Sequence, residues 1–344
     1  MRILVSRLRF IGDIVLTTPV IEVLHERFAE SEIDYLGDKD GVLLLRNNPN
    51  LRGIIPYDFE SNEISEQLKV GAALRRKKYD IAIDLFGNPR SALVIRFSGA
   101  KMRIGGSFGW RKRMYTHPVE IHDRMSAVEF HLKYLEPLGI HEKWRTPKIF
   151  LTDVERKKSS EFLEDAGVGR EELLVGFQLG ATWPAKVWPP ERFAQLAGLI
   201  ESGLGGRILL TYGHKDRGYL DRFLESAQTR TLVIHPEIPN DLRKLAGVVS
   251  MCDTFVSNDT STMHISAAVG VPTIGIFGPS DPGVWFPYAR SLGHEGVRKE
   301  VGCCGRDACL YSGNDYMRCM SAITADEIFE LVKKNLMKGK RIRP

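Results

Sequence analysis

The chain has 344 residues, of which 43% are hydrophobic and 26% charged, with 32 Gly, 17 Pro and 5 Cys. That length suits two domains rather than one core, and the apolar fraction excludes a disordered chain. The glycines and prolines follow no collagen-like period, and five cysteines make no secreted disulfide scaffold. A net charge of +5 suits anionic partners such as phosphates, nucleic acid or an acidic membrane surface, and equally suits an ordinary soluble protein.

The first residues, Met1 to Leu16, contain Arg7, Arg9 and Asp13, which interrupt any apolar stretch. No signal-peptide core and no run of about 20 uncharged apolar residues is present, so a cytoplasmic protein is expected. Short apolar runs then predict strands at 3–6, 33–36, 53–56 and 81–85. A second series falls at 173–179, 207–212, 231–234, 254–257 and 273–277. The runs are continuous rather than alternating, as in parallel sheets covered on both faces. Between them lie helical patterns. Thr152 with Glu155 forms a capping-box signal, Pro190 opens a helix with Phe193, Leu196, Ala197 and Ile200 on one face, and Thr324 with Glu327 opens a last helix to about Leu336. Two βα series on either side of the polar stretch 152–172 predict an α/β chain of two Rossmann-like, doubly wound parallel-sheet lobes, 1–160 and 161–344, with a cleft between them. The last helix is expected on either lobe, including a return to the N-terminal one.

Candidate chemistry sits where strands end. The first βα turn holds Gly12 alone, short of the G-x-G-x-x-G needed for a dinucleotide, and Asp13, which reads either as a helix N-terminal acid or as a general base. Arg111, Lys112 and Arg113, beside Phe108, Trp110 and Tyr115, read as a solvated basic loop or as a contact for acceptor phosphates, acidic sugars or a membrane surface. No recognition motif accompanies them, so nucleic acid is not expected. The loop Gly180-Ala181-Thr182 to Lys186 combines small residues, a hydroxyl and a charge, the ingredients of a phosphate loop, although a plain surface loop fits as well. In 255–268 a strand runs into Asp259, Thr260 and Ser261 at a helix start, with His264 one turn along. Singly these are an N-cap and a core histidine, and together they meet an anion with amides, hydroxyls and an imidazole. Gly278-Pro279-Ser280 follows the next strand. Cys303, Cys304, Cys309 and Cys319 cluster without the paired spacing of a zinc site, so no metal is expected, and Cys252 reads as a core thiol.

In this order the pieces resemble glycosyltransferase family 9, the bacterial ADP-heptose:lipopolysaccharide heptosyltransferases of GT-B fold. The resemblance is carried by Met1 to Leu4 with Gly12-Asp13 and Thr17-Thr18-Pro19, and by Asp84-Leu85 with Ser91-Ala92-Leu93 and Arg103-Ile104-Gly105. It continues in Gly180 to Trp188, in Asn258-Asp259-Thr260 with Met263-His264 and Ala267-Ala268, and in Gly278-Pro279-Ser280. Some members similar to heptosyltransferase II also carry a Cys-rich stretch at the position of Cys303 to Cys319. The resemblance implies inverting transfer of heptose from ADP-heptose to the lipopolysaccharide inner core, at the cytoplasmic face of the inner membrane, with no metal or cofactor. It implies Asp13 as base, Thr182 and Lys186 on the pyrophosphate, and Asp259, Thr260, Ser261 and His264 on the donor. Three departures stand out. Ser261 replaces a usual Gly, Ala181 replaces a usual Thr, and Lys215, within Gly213-His214-Lys215-Asp216, lies near the place of an acid that binds the nucleotide ribose. A transferase for another nucleotide sugar, or a GT-B-like sugar-nucleotide epimerase, remains as an alternative.

Overall fold

The computed structural model describes residues 1–59, 64–229, 231–235, 241–302, 305–306 and 308–337. The chain divides into two compact units, Met1–Phe150 and Leu151–Pro344.

The first unit is built on β1 (Arg2–Arg7), β2 (Glu32–Asp38), β3 (Gly53–Tyr57), β4 (Ile81–Asp84), β5 (Met102–Gly106) and β6 (His117–Val119). Their order across the sheet is β3-β2-β1-β4-β5-β6, every pair parallel. The second unit holds β7 (Leu174–Gln178), β8 (Arg207–Thr211), β9 (Leu232–Ile234), β10 (Thr254–Asn258), β11 (Thr273–Phe277) and β12 (Glu295–Arg298). Its order, β12-β11-β10-β7-β8-β9, is the same topology, again parallel throughout. Both are Rossmann-type sheets whose strand order reverses beside the first strand, between β1 and β4 and between β7 and β10. β7, β10 and β11 are buried at every residue, which explains why no polar–apolar alternation runs along them.

The strands expected from the sequence are present. β5, β6 and β12 escaped the reading because they carry Arg103, Gly105, Gly106, Glu295, Gly296 and Arg298 in place of an apolar run, and because β6 and β12 lie at sheet edges. Gly105 is bare for a packing reason. A Cβ there would stand 2.3 Å from the Tyr115 ring, whose hydroxyl donates to Asp84 at 2.7 Å.

The helices follow their signals. Pro190–Leu204 buries Phe193, Leu196, Ala197 and Ile200 and stops at Gly205, whose φ of 63° a side chain resists. The Thr152–Glu155 capping box is complete. Its Glu155 also takes a two-pronged bond from Arg243, at 2.7 and 2.6 Å, which ties the helix Asp153–Asp165 to the helix Leu242–Val249. The division therefore falls at 150/151 rather than 160/161. Thr324 makes half of its box: it accepts from the Glu327 amide at 3.2 Å, while the Glu327 carboxylate turns to Lys299. The last helix, Ala325–Leu336, packs on Pro190–Leu204 and on β10 and β11, with Ile328 and Val332 in the second unit's core. Its apolar face completes the layer over β10 and β11, within the second unit.

At the opposite rim of the first sheet from the strand ends, Asp34 is buried on β2. Arg52 grips both of its carboxylate oxygens, Lys77 lies 3.3 Å away, and the Tyr79 hydroxyl also donates to it. These bonds hold its carboxyl below the ordinary range against the opposing effect of burial. Asp34→Ala should cost about 3 kcal/mol, the low end for a broken buried pair, because Arg52 and Lys77 are partly exposed and can be hydrated. A depressed pKa contributes stability above the unfolded-state value that is lost as pH falls through the folded-state value. Urea unfolding at pH 7 should show the full difference from wild type, and unfolding at pH 3 a smaller one.

Candidate functional site

Ligands of open α/β sheets gather outside the carboxyl ends of the strands at the point where strand order reverses. In the first unit that point holds Arg7, the last residue of β1, and Asp13, third residue of the helix Ile11–Leu16 that follows it. Arg7 Nη1 donates to the Leu85 carbonyl just beyond β4 at 2.7 Å, Arg7 Nη2 lies 2.6 Å from Asp13 Oδ1, and the guanidinium covers the Phe86 ring at 4.8 Å. The Asp13 side chain keeps 14% of its surface exposed, enough to meet a ligand. Burial raises its carboxyl above the usual range, and the Arg7 charge opposes that shift. Gly12 is buried beside it. Asp84, fully buried, shapes the neighbouring loop by accepting from the amides of Phe86 and Gly87, both at 3.0 Å. Arg7 was legible in the sequence only as a charge interrupting an apolar run. The signal was its position at a strand's carboxyl end, six residues ahead of Asp13.

Arg111, Lys112 and Arg113 occupy one 3₁₀ turn, Gly109–Met114, after β5 on the same rim. Lys112 and Arg113 are exposed, Arg111 is half-buried over the Phe108 ring, and Trp110 presents 56% of its surface.

The second unit places its candidates at its own reversal point. The loop after β7 carries Gly180, Ala181, Thr182 and Lys186, and the turn after β10 carries Asp259 to Ser261. Lys186 Nζ lies 2.7 Å from Asp259 Oδ2, with 17% and 7% of the two side chains exposed. Lys186 is thus already paired with a carboxylate, which a sequence cannot show. Thr182 is exposed. Thr260 is the N-cap of the helix Ser261–Ala268, and its hydroxyl makes no capping bond, so the first amides of that helix are left to another acceptor. Ser261 stands at the first helical position. His264 is 5% exposed, and its Nδ1 lies 3.3 Å from the Tyr288 hydroxyl. Burial pushes its imidazole down to about 4, with Asp259 raising and Lys186 lowering it, so at neutral pH the ring is uncharged. The Gly278 loop closes on the same place, for a Cβ at Gly278 would come 3.1 Å from the Ala185 carbonyl.

A further acid belongs to this rim. Asp216, half-buried after β8, accepts from the Gly213 amide at 2.8 Å, and burial raises its carboxyl. Its carboxylate fills the space in front of Gly180, where a Cβ would stand 1.9 Å from Asp216 Cγ. Lys215, expected near the place of the family's acid, precedes it by one residue: the 3₁₀ turn His214–Asp216 sets the Asp216 carboxylate against Gly180. Gly180→Ala should therefore displace Asp216 from the rim while leaving the buried sheet intact. Near-wild-type thermal stability with weakened nucleotide binding is the expected pair of results.

Cys309 lies half-buried and accepts the Met317 amide at 3.3 Å, Cys319 and Cys252 are buried, and Cys303 and Cys304 lie outside the described residues. Among the described residues, no group of three or more His, Cys, Asp or Glu is placed to hold a metal ion, and no helix is long and apolar enough to cross a membrane.

Two parallel six-strand sheets of Rossmann order, each with charged groups at its reversal point, are the two halves of a GT-B fold. The chain belongs to glycosyltransferase family 9 (heptosyltransferase), which matches residues 67–312. It is 28% identical over 322 residues to lipopolysaccharide heptosyltransferase 2 of Escherichia coli K12, covering 87% of this chain and 91% of that one. It is 27% identical over 298 residues to lipopolysaccharide heptosyltransferase 3 of the same strain, covering 83% and 85%. The crystal structure of a family 9 glycosyl transferase from Veillonella parvula superposes with a TM-score of 0.84 at 26% identity, covering 98% of this chain and 97% of that one.

Proposed function

We propose that the protein transfers heptose from ADP-heptose to a hydroxyl of a lipid-linked lipopolysaccharide core, with inversion at the anomeric carbon. The observation that carries this reading is the Lys186–Asp259 pair beside the uncapped start of Ser261–Ala268: a cation, hydroxyls and free amides gathered at one reversal point suit a pyrophosphate.

Asp13 takes the proton of the acceptor hydroxyl as its oxygen attacks the anomeric carbon. The bond from that carbon to the phosphate oxygen breaks, and ADP leaves with the electron pair. Lys186, Thr182 and the amides at Gly180, Ala181, Thr260 and Ser261 meet the charge that develops on ADP. Asp216 accepts from ribose hydroxyls, and Asp259 holds Lys186 in reach. Neutral His264, with Thr260 and Ser261, grips the donor without adding charge. The raised carboxyl of Asp13 makes it a stronger base than an ordinary exposed aspartate. Gly12, Arg111, Lys112 and Arg113 contact the acceptor and its phosphates, and with exposed Trp110 they suit an anionic membrane surface on the cytoplasmic side. No cofactor is required by this scheme.

The test is thermal stabilisation by a panel of ADP-, UDP- and GDP-sugars, followed by transfer assays with core-lipid acceptors. ADP-heptose should stabilise most and be consumed only when acceptor is present. Stabilisation by another nucleotide sugar alone would replace the donor, and isomerisation of donor without acceptor would replace the reaction.

A further inference from the structure

We propose that Asn258 is the positioning residue that sets the geometry of the loop 179–188. Both ends of that loop are held by this one side chain. Its Oδ1 accepts from the Trp188 amide at 2.9 Å, and its Nδ2 donates to the Leu179 carbonyl at 2.8 Å and, more weakly, to the Gln178 carbonyl at 3.4 Å. The amide orientation is forced, because a backbone N–H only donates and a carbonyl only accepts. Asn258 is fully buried at the end of β10, so each of these bonds is made away from water, where losing it is most costly.

Only an amide can do this. Aspartate would accept from Trp188 but place an oxygen against the Leu179 carbonyl, and leucine would leave both groups unpaired. The exit of the loop is rigid on its other side, since Trp188 Nε1 donates to the Ile323 carbonyl at 3.0 Å and the indole packs on Phe193 at 4.7 Å. A single 3₁₀ turn, Pro184–Lys186, lies between this anchor and the exposed residues Thr182 and Trp183. Lys186 stands two residues before Trp188, and its ammonium meets Asp259, the residue next to Asn258. Two successive residues at the end of β10 thus hold the loop by its backbone and by its charge. Asn258 touches no substrate in this scheme and acts through the loop it closes.

The ligand side of the inference rests on the donor reading above, and the loop side does not. Asn258→Ala should raise the ADP dissociation constant and the KM for the nucleotide sugar at least tenfold, with the acceptor KM within twofold of wild type. It should also open the Lys186–Val187 bond to trypsin. The control is Asn335→Ala. Asn335 is another buried amide of the same unit, which bonds Thr254 Oγ1 at 3.2 Å and the Gly293 carbonyl at 3.0 Å, remote in sequence from the loop. It should lower Tm comparably while leaving ADP affinity within twofold and Lys186 resistant. If Asn258→Ala does not fold, Asn258→Ser, whose shorter hydroxyl side chain cannot bridge both ends of the loop, is read in the same way. Unchanged ADP affinity with unchanged trypsin resistance would overturn the proposal, as would an equal loss of ADP affinity in Asn335→Ala. A wild-type protein that binds no ADP would sink the donor reading alone, and the trypsin comparison would still decide the role of Asn258.

Discussion

Asp13→Asn should reduce turnover by about 10²- to 10⁴-fold, the usual contribution of a general base, while Tm and ADP affinity stay near wild type. The substitution keeps the shape of the side chain, and its amide oxygen can still accept from Arg7, so the rim retains its packing. What is lost is the capacity to take a proton. The same carboxyl sets a pH dependence whose sign follows from its surroundings. Burial raises its pKa, so the acid limb of kcat/KM should lie above the range of an exposed aspartate. Arg7→Met removes the charge that opposes burial. The carboxylate becomes harder to form, and the limb should move to higher pH, whereas Arg7→Lys should hold it nearer the wild-type position. Full activity in Asp13→Asn would remove the base, and an acid limb unmoved by Arg7→Met would remove the electrostatic link.

Lys186→Ala should weaken ADP about 100-fold and lower turnover as well. The size is that of truncating one partner of a desolvated charge pair across a binding interface, here Lys186 with the pyrophosphate: such a loss costs about 2–5 kcal/mol, and about 2.8 kcal/mol corresponds to 100-fold. The cost has two parts: the lost attraction to the pyrophosphate, and an Asp259 carboxylate left buried and unpaired where it repels that anion. The parts separate in a double-mutant cycle. Asp259→Asn added to Lys186→Ala should recover some ADP affinity, because the repelling charge is gone, but should not restore turnover, because nothing replaces the cation at the leaving group. Calorimetry with ADP and steady-state rates decide it. Unchanged affinity and rate in Lys186→Ala would show that the loop does not hold the donor.

The positions legible in the sequence were those where a residue's type and its place at a strand end said the same thing. Asp13, Lys186 and the Asp259-Thr260-Ser261 turn all lie at the reversal points where the sheets place them. What was misread had a local pattern that was incomplete. Lys215 stands near the place of the family's acid by sequence, whereas the 3₁₀ turn His214–Asp216 sets Asp216 against Gly180. Glu327 fits a capping box by spacing, yet its carboxylate pairs with Lys299 on a separate segment. β12 carries no apolar run because Glu295 and Arg298 sit on an edge strand that needs little apolar surface.

By itself the amino-acid sequence determined the alternation of strands and helices, the parallel character of both sheets and the candidates at the strand ends. Those depend on local periodicity and on turn residues a few positions apart. Only the tertiary structure decided which charges meet. Arg7 pairs with Asp13 and reaches the Leu85 carbonyl 78 residues away, Asp216 fills the space that Gly180 leaves open, and Lys186 reaches Asp259. The physical reason is that parallel strands far apart in the chain bring their ends to one rim, where burial and nearby charge set each group's protonation and reach. The length suited two domains, and the structure divides the chain at Phe150 and Leu151 because the bond from Arg243 to Glu155 ties the helix that follows to the second unit.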